Sequence, residues 1–272
     1  MGANGYSRFN LLGFFRNNND ANLTWEGDNT VLLQQSTKFL IENYKKKLKG
    51  KNIDHKVKYY FIIKSLSFLN RVVENNKIRI ENSTLLYDFN ILRDLFEFRL
   101  NTLLKKSHEK LTKNEKNLNA FDNFNDCQLF YFQKATIAYG ELYVFNCFVS
   151  KINELTANET QEILKQICVL FTLNNLEKDL DILRQDDYII SSTCDQIKEE
   201  IINLCDKLKD QLIPILDVIA PRDEILGAPL GYSDGKVNEK YNIKNFDRYI
   251  DKVFTHNECF ERAPWWQMIL DK

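Results

Sequence analysis

Proline and glycine are the scarcest structural signals in this sequence. Only 4 prolines and 9 glycines occur among its 272 residues, and between Gly50 and Pro214 there is a single glycine, Gly140, and no proline. Sheets and hairpins are normally punctuated by these residues, so their absence excludes a β-rich interior and predicts helix. An excess of one charge is missing too. The 37 basic and 38 acidic residues leave a formal net charge of -1, which supplies no global field to draw in nucleic acid or anionic lipid. Cysteine pairs at metal-ligand spacing are also lacking. Cys127, Cys147, Cys168, Cys194, Cys205 and Cys259 are scattered, with no CxxC pair, so they read as reduced core thiols. No apolar run is long enough to span a bilayer: the richest, Leu129 to Val149, is broken by Gln133, Lys134, Glu141 and Asn146. No apolar signal segment follows Met1, so the Asn-x-Ser/Thr triplets at Asn22, Asn82 and Asn158 are expected never to meet a glycosylation machinery, and the chain is expected to be intracellular.

What is present is helical periodicity. With 44% hydrophobic residues the chain can bury a substantial core. Thr30 to Lys49 reads as a helix with Asn29 at its cap, and Val57 to Val73 as a second. Leu85, Phe89, Leu92, Phe96, Leu100, Leu103 and Leu104 step by threes and fours, the mark of one buried face on a long helix to about Leu118. Cys127 to Ile152 is apolar nearly all round and predicts a central helix. Ala157 to Leu183 and Ser191 to Val218 complete the set, the latter kinked at Pro214. Gly2, Gly5, Gly13 and Gly27 predict a loop-like start, Asn17 to Asn19 a turn, and Asn245 to Phe254 a last helix. Lys45, Lys46, Lys47, Lys49 and Lys51 read as a solvated helix C-terminus complementing the macrodipole, in preference to a phosphate site. The fold class is therefore all-α, a helical bundle.

Glu26, in the run Thr24, Trp25, Glu26, Gly27, Asp28, Asn29, is the candidate catalytic base. A carboxylate beside an aromatic ring and followed by glycine is open to a substrate on one side, while burial would raise its basicity. From the residues alone, the commoner reading is an acidic side chain near a helix N-terminus that does no chemistry. Asp28 is a rival carboxylate, more easily explained as satisfying backbone amides. His55, His108 and His256 stand singly among polar residues and read as structural or surface groups.

The two ends of the chain resemble a known family. Gly2, Ala3, Asn4, Gly5, Tyr6, then Thr24 to Asn29 with Leu32, Leu33, Gln34 and Gln35, resemble the C-terminal part of a peroxisomal acyl-CoA oxidase. So do Asp217 to Pro221, Pro229 to Gly231, Asp234, Gly235 and Glu261 to Trp266, which are most like the branched-chain (pristanoyl-CoA) type. The resemblance implies that residues 1–50 are a loop-rich remnant of an acyl-CoA dehydrogenase-like helical domain bearing the base segment, and 51–272 the oxidase C-terminal helical domain. It implies an FAD-dependent enzyme that converts acyl-CoA and dioxygen to trans-2-enoyl-CoA and hydrogen peroxide in peroxisomal β-oxidation. Glu26 then aligns with the proton-abstracting glutamate, and Gly2, Asp28 and Asn29 fall in segments that lie against the flavin adenine dinucleotide. A homodimer is implied, with no metal, no nucleic acid and no membrane among the partners. Trp265 and Trp266 fit either a packed anchor or an acyl pocket. Family members carry further domains ahead of this point and usually end in a Ser-Lys-Leu-type signal, where this chain has Leu270, Asp271 and Lys272. The expectation is a fragment or truncated product, inactive in isolation. The alternative is a non-catalytic helical interaction or dimerisation module.

Overall fold

The computed structural model describes residues 5–6, 8–51, 66–71, 83–156, 158–228 and 231–232. Among them the regular structure is entirely helical. The α-helices are α1 (Leu12–Asp20), α2 (Asn29–Leu48), α3 (Phe89–Asn114), α4 (Ala120–Asp126), α5 (Gln133–Glu154), α6 (Glu159–Glu177), α7 (Leu180–Leu183), α8 (Ser191–Leu208), α9 (Leu212–Ile219) and α10 (Asp223–Leu226). The chain divides into two compact units, Thr24–Leu212 and Met1–Leu23 with Ile213–Lys272.

Four helices of the larger unit start where an Asp or Asn side chain takes up an otherwise unpaired backbone amide. Asp28 accepts from Thr30 N at 2.8 Å, Asp88 from Asn90 N at 2.8 Å, Asn119 from Asp122 N at 2.9 Å and Asn158 from Gln161 N at 2.9 Å. The cap of α2 is thus Asp28, not Asn29, which is the first helical residue. At the other end of α2, Lys45, Lys46 and Lys47 fill the last turn, as the macrodipole favours.

The apolar steps along α3 become its buried face: Leu92, Leu95, Phe96, Leu100, Leu103 and Leu104. That face meets α5, whose Ala135, Ala138, Leu142, Phe145, Val149 and Ile152 are buried in turn. Phe145 anchors the contact, tilted against Phe96 at 5.4 Å and edge-on to Phe89 at 6.1 Å. Offset and edge geometries of this kind match the ring quadrupoles as well as burying apolar area. The helix α5 packs on α2, α3 and α6, and α6 packs on α8, so α5 is central as expected. It is not enclosed all round, because Ile137 and Val144 on its remaining face are exposed.

A five-residue π-helical turn, Gln128–Phe132, leads into α5. Beside it, the buried Thr37 hydroxyl on α2 lies 2.8 Å from the Leu33 carbonyl and 3.2 Å from that of Phe132, and within hydrogen-bond reach of the Thr136 hydroxyl. This polar staple fixes α2, and so the turn ahead of it, to the core.

Four expected boundaries move. The long helix α3 ends at Asn114, not near Leu118, and the helix expected over 157–183 is broken after Glu177. The helix expected over 191–218 is broken by a 3-10 turn at Lys209–Gln211, with Pro214 third in α9. There its missing amide is one of the first-turn donors that have no helical partner anyway, so the proline starts a helix where a kink was expected. Asn17 to Asn19 lie inside α1, where a turn was expected. Only residues 66–71 are described of the segment expected as a second helix, with a 3-10 turn at Ser67–Arg71, and the expected last helix at 245–254 lies outside the described residues.

Candidate functional site

The run from Thr24 to Asn29 forms a tight turn closed by a hydrogen bond from Gly27 N to the Thr24 carbonyl at 3.1 Å. Within it Glu26 has φ +59° and Gly27 φ +123°. A left-handed conformation at a residue with a Cβ is unfavourable by about 1–2 kcal/mol, and here it is held by the glycine after it and the Asp28 cap. The turn projects Glu26 into solvent. Trp25 is 67% exposed, so the expectation that its ring presses on Glu26 and desolvates it is not met among the described residues. The neighbours Gly27, Asp28 and Asn29 are exposed as well. Glu26, Asp28 and Asn29 are therefore brought together on one exposed edge at the start of α2, while Gly2 lies outside the described residues.

The other candidates fall away on geometry. His108 is tilted against Tyr44, with ring centroids 5.9 Å apart, and its pKa is lowered by partial burial and then by Lys45. His55 and His256 lie outside the described residues. Of the cysteines, Cys127, Cys168 and Cys194 are buried, and Cys147 and Cys205 are exposed, so the expectation of core thiols holds for three of the five described. Burial pushes the Cys168 thiol up to about 12, which keeps it protonated and inert. Among the described residues there is no group of His, Cys, Asp and Glu that could hold a metal, and no helix long and apolar enough to cross a membrane.

A polar cluster that sequence reasoning missed lies in the core. The Arg99 guanidinium, 1% exposed, pairs with Glu141, donates to the Asn175 carbonyl at 3.0 Å and approaches Asp179 at 3.5 Å. Lys134 reaches the same Asp179 carboxylate at 3.1 Å. The signal was present: Arg99 falls three residues after Phe96 and four before Leu103, on the apolar stripe itself. A charge on a core stripe calls for buried partners of opposite sign.

Two family models match this chain: "Acyl-CoA oxidase" over residues 88–272 and "Acyl-CoA oxidase, C-alpha1 domain" over residues 1–41. Among curated proteins it is 26% identical over 270 residues to human peroxisomal acyl-coenzyme A oxidase 3, covering 97% of this chain and 37% of that one. It is 25% identical to Arabidopsis thaliana acyl-coenzyme A oxidase 2, peroxisomal, covering 90% of this chain and 35% of the relative. The chain thus spans little more than a third of the length of the curated relatives it matches. Its fold is shared with Caenorhabditis elegans acyl-CoA oxidase-1, solved with FAD and ATP, at TM-score 0.81 and 17% identity, over 99% of this chain and 39% of that one. Yarrowia lipolytica acyl-CoA oxidase 3 superposes at TM-score 0.78 and 22% identity, over 99% and 36%. The match over residues 88–272 covers most of the sequence, and the chain belongs to the acyl-CoA oxidase family.

Proposed function

We propose that this chain is the C-terminal, base-bearing helical portion of an FAD-dependent acyl-CoA oxidase acting in peroxisomal fatty acid β-oxidation, with Glu26 as the catalytic base. The observation that carries the reading is the family match at both ends of the chain, together with the strained turn that holds Glu26 clear of the bundle. In the reaction, the Glu26 carboxylate takes the proton from the carbon next to the thioester carbonyl. That carbon is a very weak acid in water, so the carboxylate must be desolvated when substrate is bound. With Trp25 exposed, the wall that desolvates the carboxylate has to come from outside the 24–29 turn.

Bound FAD would accept the hydride from the adjacent carbon and pass the electrons to dioxygen, giving trans-2-enoyl-CoA and hydrogen peroxide. The residues present fit one edge of such a group. Gly27 has no side chain, and the nearest atom to a Cβ built there, Leu32 Cδ2, is 4.0 Å away, so a flat ring system can approach the backbone. Asp28 and Asn29 would lie against it, with Gly2 from the preceding segment. The division of labour falls near residue 50, with the base segment before it and the C-terminal helical domain after. A homodimer and the branched-chain substrate type belong to the same reading, the latter on the sequence blocks at 217–221, 229–231 and 261–266.

The exposure of Trp25 and Glu26 favours one second reading, a helical interaction module that does no chemistry. A chimera separates the two. This chain replaces the matching third of Yarrowia lipolytica acyl-CoA oxidase 3, and peroxide production from acyl-CoA is followed with Glu26 intact and as Glu26→Gln. General-base work contributes about a hundredfold to ten-thousandfold, so turnover should drop by at least a hundredfold while flavin stays bound. Equal turnover in the two chimeras, or none in a chimera that holds flavin, would leave the interaction module standing.

A further inference from the structure

One end of the larger unit, where the C-terminal parts of α2 and α3 meet, is rich in lysine: Tyr44 touches His108 there. Residues 38–51 and 105–126 carry eleven lysines against five carboxylates, in a chain whose formal net charge is -1. Between them lies an open cavity of about 360 Å³. Its floor is apolar, formed by the buried Ile41 and Phe132 with the half-buried Leu111 and Phe124, and Leu118, Lys38, Lys45, Glu42 and Glu115 stand on its rim. Lys38 is already oriented, its ammonium 4.7 Å from the centre of the Phe124 ring. Lys45 follows it by seven residues, about 10 Å along the helix at roughly 1.5 Å per residue.

We propose that this cavity binds a free medium-chain amphiphile with a single anionic head, a fatty carboxylate being the simplest, with the head on the Lys38 and Lys45 ammonium groups and the chain on the apolar floor. At roughly 30 Å³ per atom-sized group, water's share of liquid volume, the space takes on the order of ten carbons. Such a mix of apolar lining and a few oriented polar groups is typical of small-molecule sites. Glu42 and Glu115 set the charge of the ligand. They offset the two rim lysines, so a head of several charges would be repelled several times over by the two carboxylates, whereas for a single charge that repulsion is outweighed by the wider excess of lysine in residues 38–51 and 105–126. The cavity is formed wholly within the larger unit and away from Glu26, so this inference stands independently of the proposed reaction.

The test uses the 272-residue chain and decanoate as probe. Calorimetry should give saturable one-to-one binding. Decanol should bind at least tenfold more weakly, and so should decanoate to Lys38→Gln/Lys45→Gln, with a cooperative melting transition of the variant showing that it is folded. Ala120→Trp, placed on the cavity wall, should abolish binding. Amide shifts on adding decanoate should cluster in residues 38–45 and 111–132. No saturation with decanoate, equal affinity in the lysine variant, or shifts elsewhere would overturn the site. So would association only with phosphatidylglycerol vesicles, because that would assign the lysines to a bilayer surface.

Discussion

A guanidinium that is 1% exposed must be matched by acceptors, and at Arg99 they come from three other helical segments: Glu141 on α5, the Asn175 carbonyl on α6 and Asp179 just ahead of α7. The cluster ties the centre of the bundle to its neighbours through directional contacts, where leucine contacts alone would tolerate sliding. Truncating one partner of a buried ion pair leaves the other charge uncompensated, which is typically destabilising by about 3–5 kcal/mol. Arg99→Ala should therefore lower the free energy of unfolding by that order, read as a lower urea midpoint with the denaturant slope unchanged. Arg99→Met restores volume but not charge, and should lie nearer to Arg99→Ala than to the parent. A loss below about 1 kcal/mol in both would mean that Glu141 and Asp179 find water instead.

At the level of helices, the start of α2 joins the fold to the proposed chemistry. Asp28 has the extended backbone of a cap, φ -61° and ψ 133°, and its carboxylate holds Thr30 N, which fixes where the helix begins and so where the Glu26 turn ends. Replacing such a cap with Ala typically costs about 1 kcal/mol. Asp28→Ala should show that loss in thermal or urea unfolding, and Asn29→Ala should not, because Asn29 is inside the helix. The reverse ranking would return the cap to Asn29.

This comparison also marks what the sequence could reveal. Both residues are good cap types, and only the backbone distinguishes them. The stripe of α3 was readable because six apolar residues, Phe89 to Leu104, repeat over it, and the breaker-free stretch made helix the one economical reading. Lys209–Gln211 contains no breaker, so the interruption before α9 left no local trace; it puts Pro214 in a first turn, where proline is tolerated. The identity of Glu26 as a candidate was legible from its neighbours in sequence. Its exposure was not, because enclosure depends on residues distant along the chain.

For the molecule as a whole, that exposure has a consequence for cofactor binding. A flavin ring is retained by burial of its faces and by polar groups aimed at its edges. Around Glu26 the described residues offer an edge without faces: Trp25 is 67% exposed, and Gly27, Asp28 and Asn29 are exposed beside it. One open edge buries too little area to offset the freedom a ligand loses on binding. The purified 272-residue chain, incubated with FAD and desalted, should therefore emerge colourless, while the Yarrowia chimera treated in the same way should keep its flavin absorbance. A yellow 272-residue chain with one flavin per polypeptide would show that the cofactor needs no walls beyond this sequence. Two colourless samples would remove Gly27, Asp28 and Asn29 from the cofactor surface, and with them the case for Glu26 as the base.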